Sequence, residues 1–306
     1  MKQKISEIRP DSILFQIDSN FLQIKRIKKA FPNLVVCTQI NGSPFDEPFK
    51  NIAFKEYFIK KQKEAYEKSD LNFFVSEISR NNIMQSSFEI SRDIVIPNGA
   101  NLDKFFPIKG KEQLKQKLGY DVNKFILGYV GTLDFHKKIV DLVEVFHELT
   151  EIYKDLQLVI IGDGPALDQI INRIEDLELT DNVILKGWVN HNDINEHLNC
   201  FNLAIHHSAQ TYMNPLKIFE YLAAGLPVLA PDIPSVRRIF QNEIDLLITG
   251  DKKKDIKDNL EMLIQNPQMR ERFSRNKNLK RSLEKNYTWK RYAENIIIKI
   301  QQKLNQ

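Results

Sequence analysis

The chain has 306 residues, enough for two domains or one large one, and is 42% hydrophobic and 27% charged, as an ordinary globular protein is. Its formal net charge of +4 is too small to imply a nucleic-acid partner, and its two cysteines, Cys37 and Cys200, make neither a disulfide framework nor a zinc pattern. No apolar run reaches the roughly eighteen residues of a membrane span, and the first twenty or so lack the basic, apolar, small order of a signal peptide, so the expected location is cytoplasmic.

In chain order, DSILFQI and NLVVCTQI predict strands, with NFLQIKRIKKAF a helix between them. FKEYFIKKQKEAYEKS predicts a long basic helix. LNFFVS, the helix EISRNNIMQSS and the strand DIVIPNG complete a four-stranded set, which is few for an independent α/β domain. PNGANLDKFFP reads as an interdomain linker. The basic residues Lys25, Arg26, Lys28 and Lys29, and the helix bearing Lys55, Lys60, Lys61 and Lys63, predict solvated faces. A second reading is peripheral contact with anionic lipid at the inner membrane face.

From Phe125 the alternation is regular. FILGYVG, LQLVIIGDG, NVILKGWV, FNLAIHH, LPVLAP and DLLIT are short apolar strands separated by helical segments. Continuous apolar strands between helices predict a parallel, doubly wound sheet of six strands. Ligands of such sheets bind beyond the carboxyl ends of the strands. Gly131, Gly162, Gly164, His206 and His207 lie at such ends. The two glycines after LQLVII lack the third glycine and later acid of a dinucleotide fingerprint, so they read as a turn lining a site, and an oxidoreductase is excluded. His206, His207 and Cys200 lack the spacing of a metal site. Trp188 reads as packing, and YTWKRYAENIIIKIQQKL as a final amphipathic helix.

One segment poses a question of charge. In NPLKIFEYLAAG, Asn214 predicts an N-cap, Pro215 the first position of a helix to Ala224, and Gly225 its exit. This apolar helix carries Lys217 and, one turn on, Glu220. A cation near a helix N-terminus opposes the macrodipole, and Lys before Glu is the poorer order for a pair. An anion docking at the N-terminus accounts for the lysine as well as a salt bridge does.

Taken together, SDLNFFVSEISRNNI, DIVIPNGANLDKFFP, YVGTLDFHKKIVDLVEVF, LVIIGDGPALDQI, NVILKGWVNHNDINEHLNCFNLAI and FEYLAAGLPVLAPD resemble, in order, the signposts of the retaining glycosyltransferases of family 4. The resemblance implies an α/β GT-B fold of two doubly wound Rossmann-like domains, the N-terminal one incomplete. It divides the chain into an acceptor-side domain, residues 1–107, a nucleotide-sugar domain, 108–286, and a helix, 287–306, packing back towards the first. It also implies transfer of a sugar from a nucleotide-diphosphate sugar to a hydroxyl of a glycan, lipid-linked sugar or surface-polysaccharide precursor, with retention and without a metal. Matched onto this chain, Lys137 contacts the diphosphate and Glu220 the ribose, and these are the catalytic candidates. The implied donor site adds Gly131, Thr132, Gly162, Gly164, Val189, Met213, Asn214, Leu216 and Lys217, and Asn41 and Gly42 are the acceptor-side candidates.

Three departures qualify the match. Tyr212 stands where the family has an earlier glutamate. Thr132 replaces an expected arginine, with Lys217 the candidate substitute and Lys138 a weaker one. Finally, Met1 falls just before what the resemblance makes the fourth strand, so roughly 60–100 residues of a usual domain are expected to be absent and SILFQI to form an apolar edge. Two readings stay open: an active transferase, or a catalytically inactive nucleotide-sugar-binding subunit completed by a second chain that supplies the absent strands.

Overall fold

The computed structural model describes residues 1–16, 21–41 and 55–306. These form two compact units. One comprises Met1–Asn98, Thr211–Asn214 and Trp289–Gln306, and the other Gly99–Gln210 and Pro215–Thr288.

The first unit runs α1 (Lys2–Ile8), β1 (Ser12–Gln16), α2 (Phe21–Ala30), β2 (Val35–Ile40), α3 (Lys55–Tyr66), β3 (Leu71–Phe74), α4 (Glu77–Met84) and β4 (Asp93–Val95). Its strands lie side by side in chain order, all parallel. Val36, Ile40 and Phe74 face one way and pack with Ile24 and Ile27 of α2, Tyr66 of α3 and Ile83 of α4. β1 is at the sheet edge, where Leu14 is 41% exposed.

The second unit runs α5 (Lys111–Leu118), β5 (Phe125–Val130), α6 (Ile139–Ile152), β6 (Leu156–Ile161), α7 (Leu167–Asp176), β7 (Val183–Gly187), α8 (Ile194–Cys200) and β8 (Leu203–Ile205). It continues through α9 (Leu216–Ala223), β9 (Val228–Pro231), α10 (Pro234–Ile239), β10 (Leu247–Thr249), α11 (Lys253–Gln265), α12 (Pro267–Ser274) and α13 (Lys277–Asn286). The six strands are parallel in the order β10-β9-β8-β5-β6-β7. The chain builds outward from β5 through β6 and β7, then returns to β5's other side for β8. Strand order therefore reverses between β5 and β8.

Five of the six apolar runs predicted as strands are buried on both faces, and the edge strand β7 is half-buried. Ile126, Val159 and Ala204 pack with Ile218 and Tyr221 of α9 and Leu198 of α8. Their neighbours Leu127, Leu158 and Leu203 pack with Val143 and Phe146 of α6 and Leu260 of α11. The final helix, α14 (Trp289–Leu304), belongs to the first unit, where Tyr292 and Ile296 cover Cys37, Leu71 and Phe73 on the face opposite α2.

The stretch expected as a linker is part of the second unit's core. Ala100 and Phe105 are fully buried there, and the Ala100 N–H donates to the Tyr287 carbonyl. Asn195 and Asn199 of α8 hold the Phe106 carbonyl through their amides, and the Asn199 amide oxygen accepts the Ile108 N–H. The units accordingly divide at Asn98/Gly99, not after residue 107, and α14 begins at Trp289. α1 and α5 were not read from the sequence because each buries so few residues that no apolar stripe shows: Ile5 alone in α1, Leu114 and Lys115 in α5.

Gly128, in the central strand, lies against the Phe201 ring, which a methyl group there would overlap. Overpacking of this kind costs about 1–3 kcal/mol. Gly128→Ala is expected to lower the urea midpoint of unfolding by a corresponding amount, and an unchanged midpoint would show that the ring moves aside without strain.

Candidate functional site

β5 pairs with β6 along its whole length but with β8 only at Leu127↔Leu203 and Gly128↔Ala204. Past that point the β8 side of β5 needs other partners. The buried Tyr221 hydroxyl of α9 provides them, accepting the Val130 N–H at 2.8 Å and donating to the Val130 carbonyl at 3.0 Å. Burial holds the phenol well above its ordinary pKa, so the proton that it donates stays in place. Sequence reasoning missed this residue. Its signal was a hydroxyl on the face of a helix that is otherwise apolar.

The loop after β5 is shaped by close backbone approach. The Gly131 N–H donates to the Ile161 carbonyl at 3.0 Å, and the Gly162 N–H to the Gly187 carbonyl at 2.9 Å. Gly162 has φ 144°, and a side chain there would run into the Gly131 carbonyl. The Gly164 N–H donates to the Asp163 carboxylate, and the exposed Thr132 donates its hydroxyl to Asp134. A 3-10 turn, Phe135–Lys137, then leads to Lys138 in left-handed conformation, φ 52°. Burial lowers the Lys137 pKa, against an opposing pull from Asp134. Lys138, the weaker candidate for the absent arginine, pairs instead with Asp251 at 3.1 Å.

At α9 the structure corrects two expectations and shows the ion pair that the sequence left open. The helix starts at Leu216, with Pro215 at the N-cap position and no side-chain cap. Asn214 is not the cap, because its amide oxygen accepts the Asn98 N–H while its carbonyl accepts from the Asn98 amide, both at 2.7 Å within the first unit. Lys217 and Glu220 do form an ion pair, at 2.7 Å, with Glu220 2% exposed. The preference for the opposite order is a few tenths of a kcal/mol. Leaving a buried carboxylate without a counter-charge costs far more. Gly225 exits the helix at φ 75°, as expected.

His206 and His207 follow β8, on the other side of the reversal from Gly131. His206 is 3% exposed, its ring stacks on Tyr129 at 6.2 Å, and neither ring nitrogen has a hydrogen-bond partner. Burial, then Lys137, His207, Lys217 and His136, push its pKa well below the ordinary histidine value. His207 Nε2 lies 3.1 Å from the Lys138 carbonyl, which can only accept, so Nε2 carries the proton. Burial pushes its pKa down to about 4. Among the described residues no three His, Cys, Asp or Glu side chains are grouped to hold a metal ion. The buried Cys200 thiol instead donates to the Glu196 carbonyl.

The other expected residues are scattered. Val189 is half-buried and packs on the core, and Leu216 opens α9. Trp188 is 74% exposed rather than packed, because β7 is an edge strand with no neighbour to cover its end. Met213 and Asn214 belong to the first unit, where the Tyr212 carbonyl accepts the Ser76 hydroxyl at 2.5 Å. Asn41 is exposed at the end of β2, and Gly42 lies outside the described residues.

The family described as glycosyl transferases group 1 matches residues 110–280, which include β5 to β10 and the strand reversal. The chain belongs to this family. An Escherichia coli UDP-Gal:alpha-D-GlcNAc-diphosphoundecaprenol alpha-1,3-galactosyltransferase is 34% identical over 155 residues, 49% of this chain and 39% of that protein. The alpha-D-kanosaminyltransferase of Streptomyces kanamyceticus is 26% identical over 167 residues, 54% of this chain and 43% of that protein. The matched stretch thus spans less than half the length of either relative. An Anabaena HepE structure in complex with UDP and glucose superposes with a TM-score of 0.82 at 15% identity, covering 98% of this chain and 80% of that one. That likeness shows the fold, two parallel-sheet domains of GT-B type.

Tyr221→Phe removes the hydroxyl from both Val130 backbone groups. Stranding buried polar groups costs about 1–3 kcal/mol each. The variant is expected to unfold at clearly lower denaturant than wild type, and to exchange the Val130 amide proton faster. Wild-type protection of that amide would show that Tyr221 does not hold the end of β5.

Proposed function

We propose that the chain is a glycosyltransferase that binds a nucleotide-diphosphate sugar beyond β5 and β8 and transfers its sugar to a hydroxyl acceptor with retention of configuration. The observation that carries this reading is the convergence, at a strand reversal in a chain of this family, of the uncapped α9 N-terminus with Lys217, Glu220 and the desolvated Lys137 loop. Breaking a glycosyl–phosphate bond builds negative charge on the departing diphosphate. Amides and lysines aimed at that charge stabilise the transition state. In this reading Lys137 and Lys217 meet the diphosphate and Glu220 grips the ribose hydroxyls, which orients the donor. Gly131, Thr132, Gly162, Gly164 and Leu216 line the donor. The acceptor hydroxyl attacks from the leaving group's side and gives its proton to the phosphate oxygen, so no protein nucleophile takes part.

The test is calorimetric titration with a panel of nucleosides and nucleoside diphosphates, with donor turnover followed by NMR of the product's anomeric centre. Glu220→Gln should weaken nucleoside and diphosphate binding alike, by about 1.5–3 kcal/mol, the range for hydrogen bonds to a charged group. Lys217→Met should weaken the diphosphate much more than the nucleoside. Equal losses in Lys217→Met would reduce this lysine to a counter-ion of Glu220. Unchanged affinity in Glu220→Gln would remove the ribose role.

A lipid-linked acceptor belongs to the same reading, supported by the diphosphoundecaprenol named in the Escherichia coli relative. Lys25 of α2 and Lys60 and Lys61 of α3 act together on one carboxylate, Glu64, and so share one basic face. That face suits anionic lipid. Vesicles of phosphatidylglycerol should sediment the protein at low salt and release it at about 0.5 M salt, where screening is strong. Equal sedimentation by phosphatidylcholine vesicles would contradict a role for these charges.

A further inference from the structure

His206 is unusual in the second unit. A buried imidazole with neither nitrogen hydrogen-bonded costs free energy. It does so beside the reversal between β5 and β8, where open α/β sheets take their ligands. Burial is the main reason the ring stays neutral, and the titratable groups that add to it most are cationic or neutral. The loop after β5 contributes His136 and Lys137, its own strand end His207, and α9 Lys217. Tyr129 of β5 stacks on it at 6.2 Å with the ring planes 11° apart. Lys217 is already neutralised by Glu220. Burial and these neighbours together keep the ring uncharged in the free chain.

We propose that His206 is a proton-linked positioning residue for the donor, remaining neutral in the free chain and gaining a proton when a nucleotide diphosphate ester seats against Lys137 and the first turn of α9. The inference rests on the donor reading of this site. A diphosphate carries two negative charges. Burial is the first reason the ring holds no proton and the field of Lys137 the next; a diphosphate at Lys137 offsets both with its negative charge, and the imidazolium that forms adds a positive charge behind the diphosphate. The sign follows from linkage. The ligand-bound form has the higher affinity for protons, so binding takes up a proton, and affinity rises as pH falls through the histidine range.

The experiment is titration of the full chain with UDP-glucose and with GDP-mannose, in buffers of different ionisation enthalpy, between pH 5.5 and 8. Both probes are diphosphate diesters without a phosphate group titrating in this interval, so any proton taken up goes to the protein. Uptake approaching one proton per ligand near pH 6 and vanishing by pH 8 is expected, with affinity gaining up to about tenfold per pH unit, the limit for one linked proton. His206→Gln should bind with no uptake and with affinity flat in pH, whereas uridine should elicit no uptake from wild type. Ring-nitrogen NMR of histidine-labelled wild type, which does not depend on the variant folding, should show one imidazole passing from neutral to charged on adding the ester at pH 6. Ester binding without proton uptake, or uptake that persists in His206→Gln, overturns the proposal while leaving the donor reading intact. Failure of the chain to bind either ester, UDP or GDP overturns both together.

Discussion

The hydroxyl of Tyr221 is the joint on which the site depends. A parallel strand that loses its neighbour leaves backbone donors and acceptors exposed inside the sheet, and buried groups of that kind are almost always satisfied. Where β5 outruns β8, Tyr221 satisfies both groups of Val130. The same two bonds lock α9 to the strand, and α9 carries Lys217 and Glu220 on the turns beside Tyr221. The position of the carboxylate relative to Gly131 and the Lys137 loop is thus set by main-chain geometry rather than by long flexible side chains. Glycine at 162 completes the arrangement by letting the loop after β6 approach the Gly131 carbonyl.

The electrostatics of the reversal are asymmetric. Lys217 answers Glu220, leaving that pair neutral overall. Lys137 is desolvated, and two adjacent histidines are held uncharged. A helix start without a side-chain cap adds partial positive charge on the same side of the sheet reversal. The departures from the family pattern at Thr132 and Tyr212 fall in this neighbourhood of the sequence. Lys217 adds a positive charge on the helix to those of Lys137 and Lys138 on the loop after β5.

Much of the second unit was legible because parallel strands buried on both faces are written as unbroken apolar runs, and LQLVII or FILGYV has few other ways to fold. What escaped was decided by distant partners. Asn214 has the chemistry of an N-cap, but Asn98, remote in sequence, takes its side chain. The stretch from Pro97 to Pro107 looks like a linker by its asparagines and prolines, yet Phe105 is pulled into the core and α8 asparagines hold the backbone beside it. The Lys217–Glu220 pair was undervalued because helix-surface preferences assume water, and Glu220 has almost none. Tyr221 and the His206–Tyr129 stack are contacts across the sheet, which spacing along the chain does not encode.

The interleaving of the two units bears on heredity. Thr211–Asn214 interrupts the second unit but belongs with the first, through the bonds of Tyr212 to Ser76 and of Asn214 to Asn98. A recombination event that exchanges Gly99–Thr288 between two such genes carries this short segment with it. The inherited cassette keeps these bonds only in a recipient that offers a hydroxyl at the position of Ser76 and an amide side chain at that of Asn98. Those two places act as a compatibility code, and they restrict which halves can be shuffled into a folded chimera.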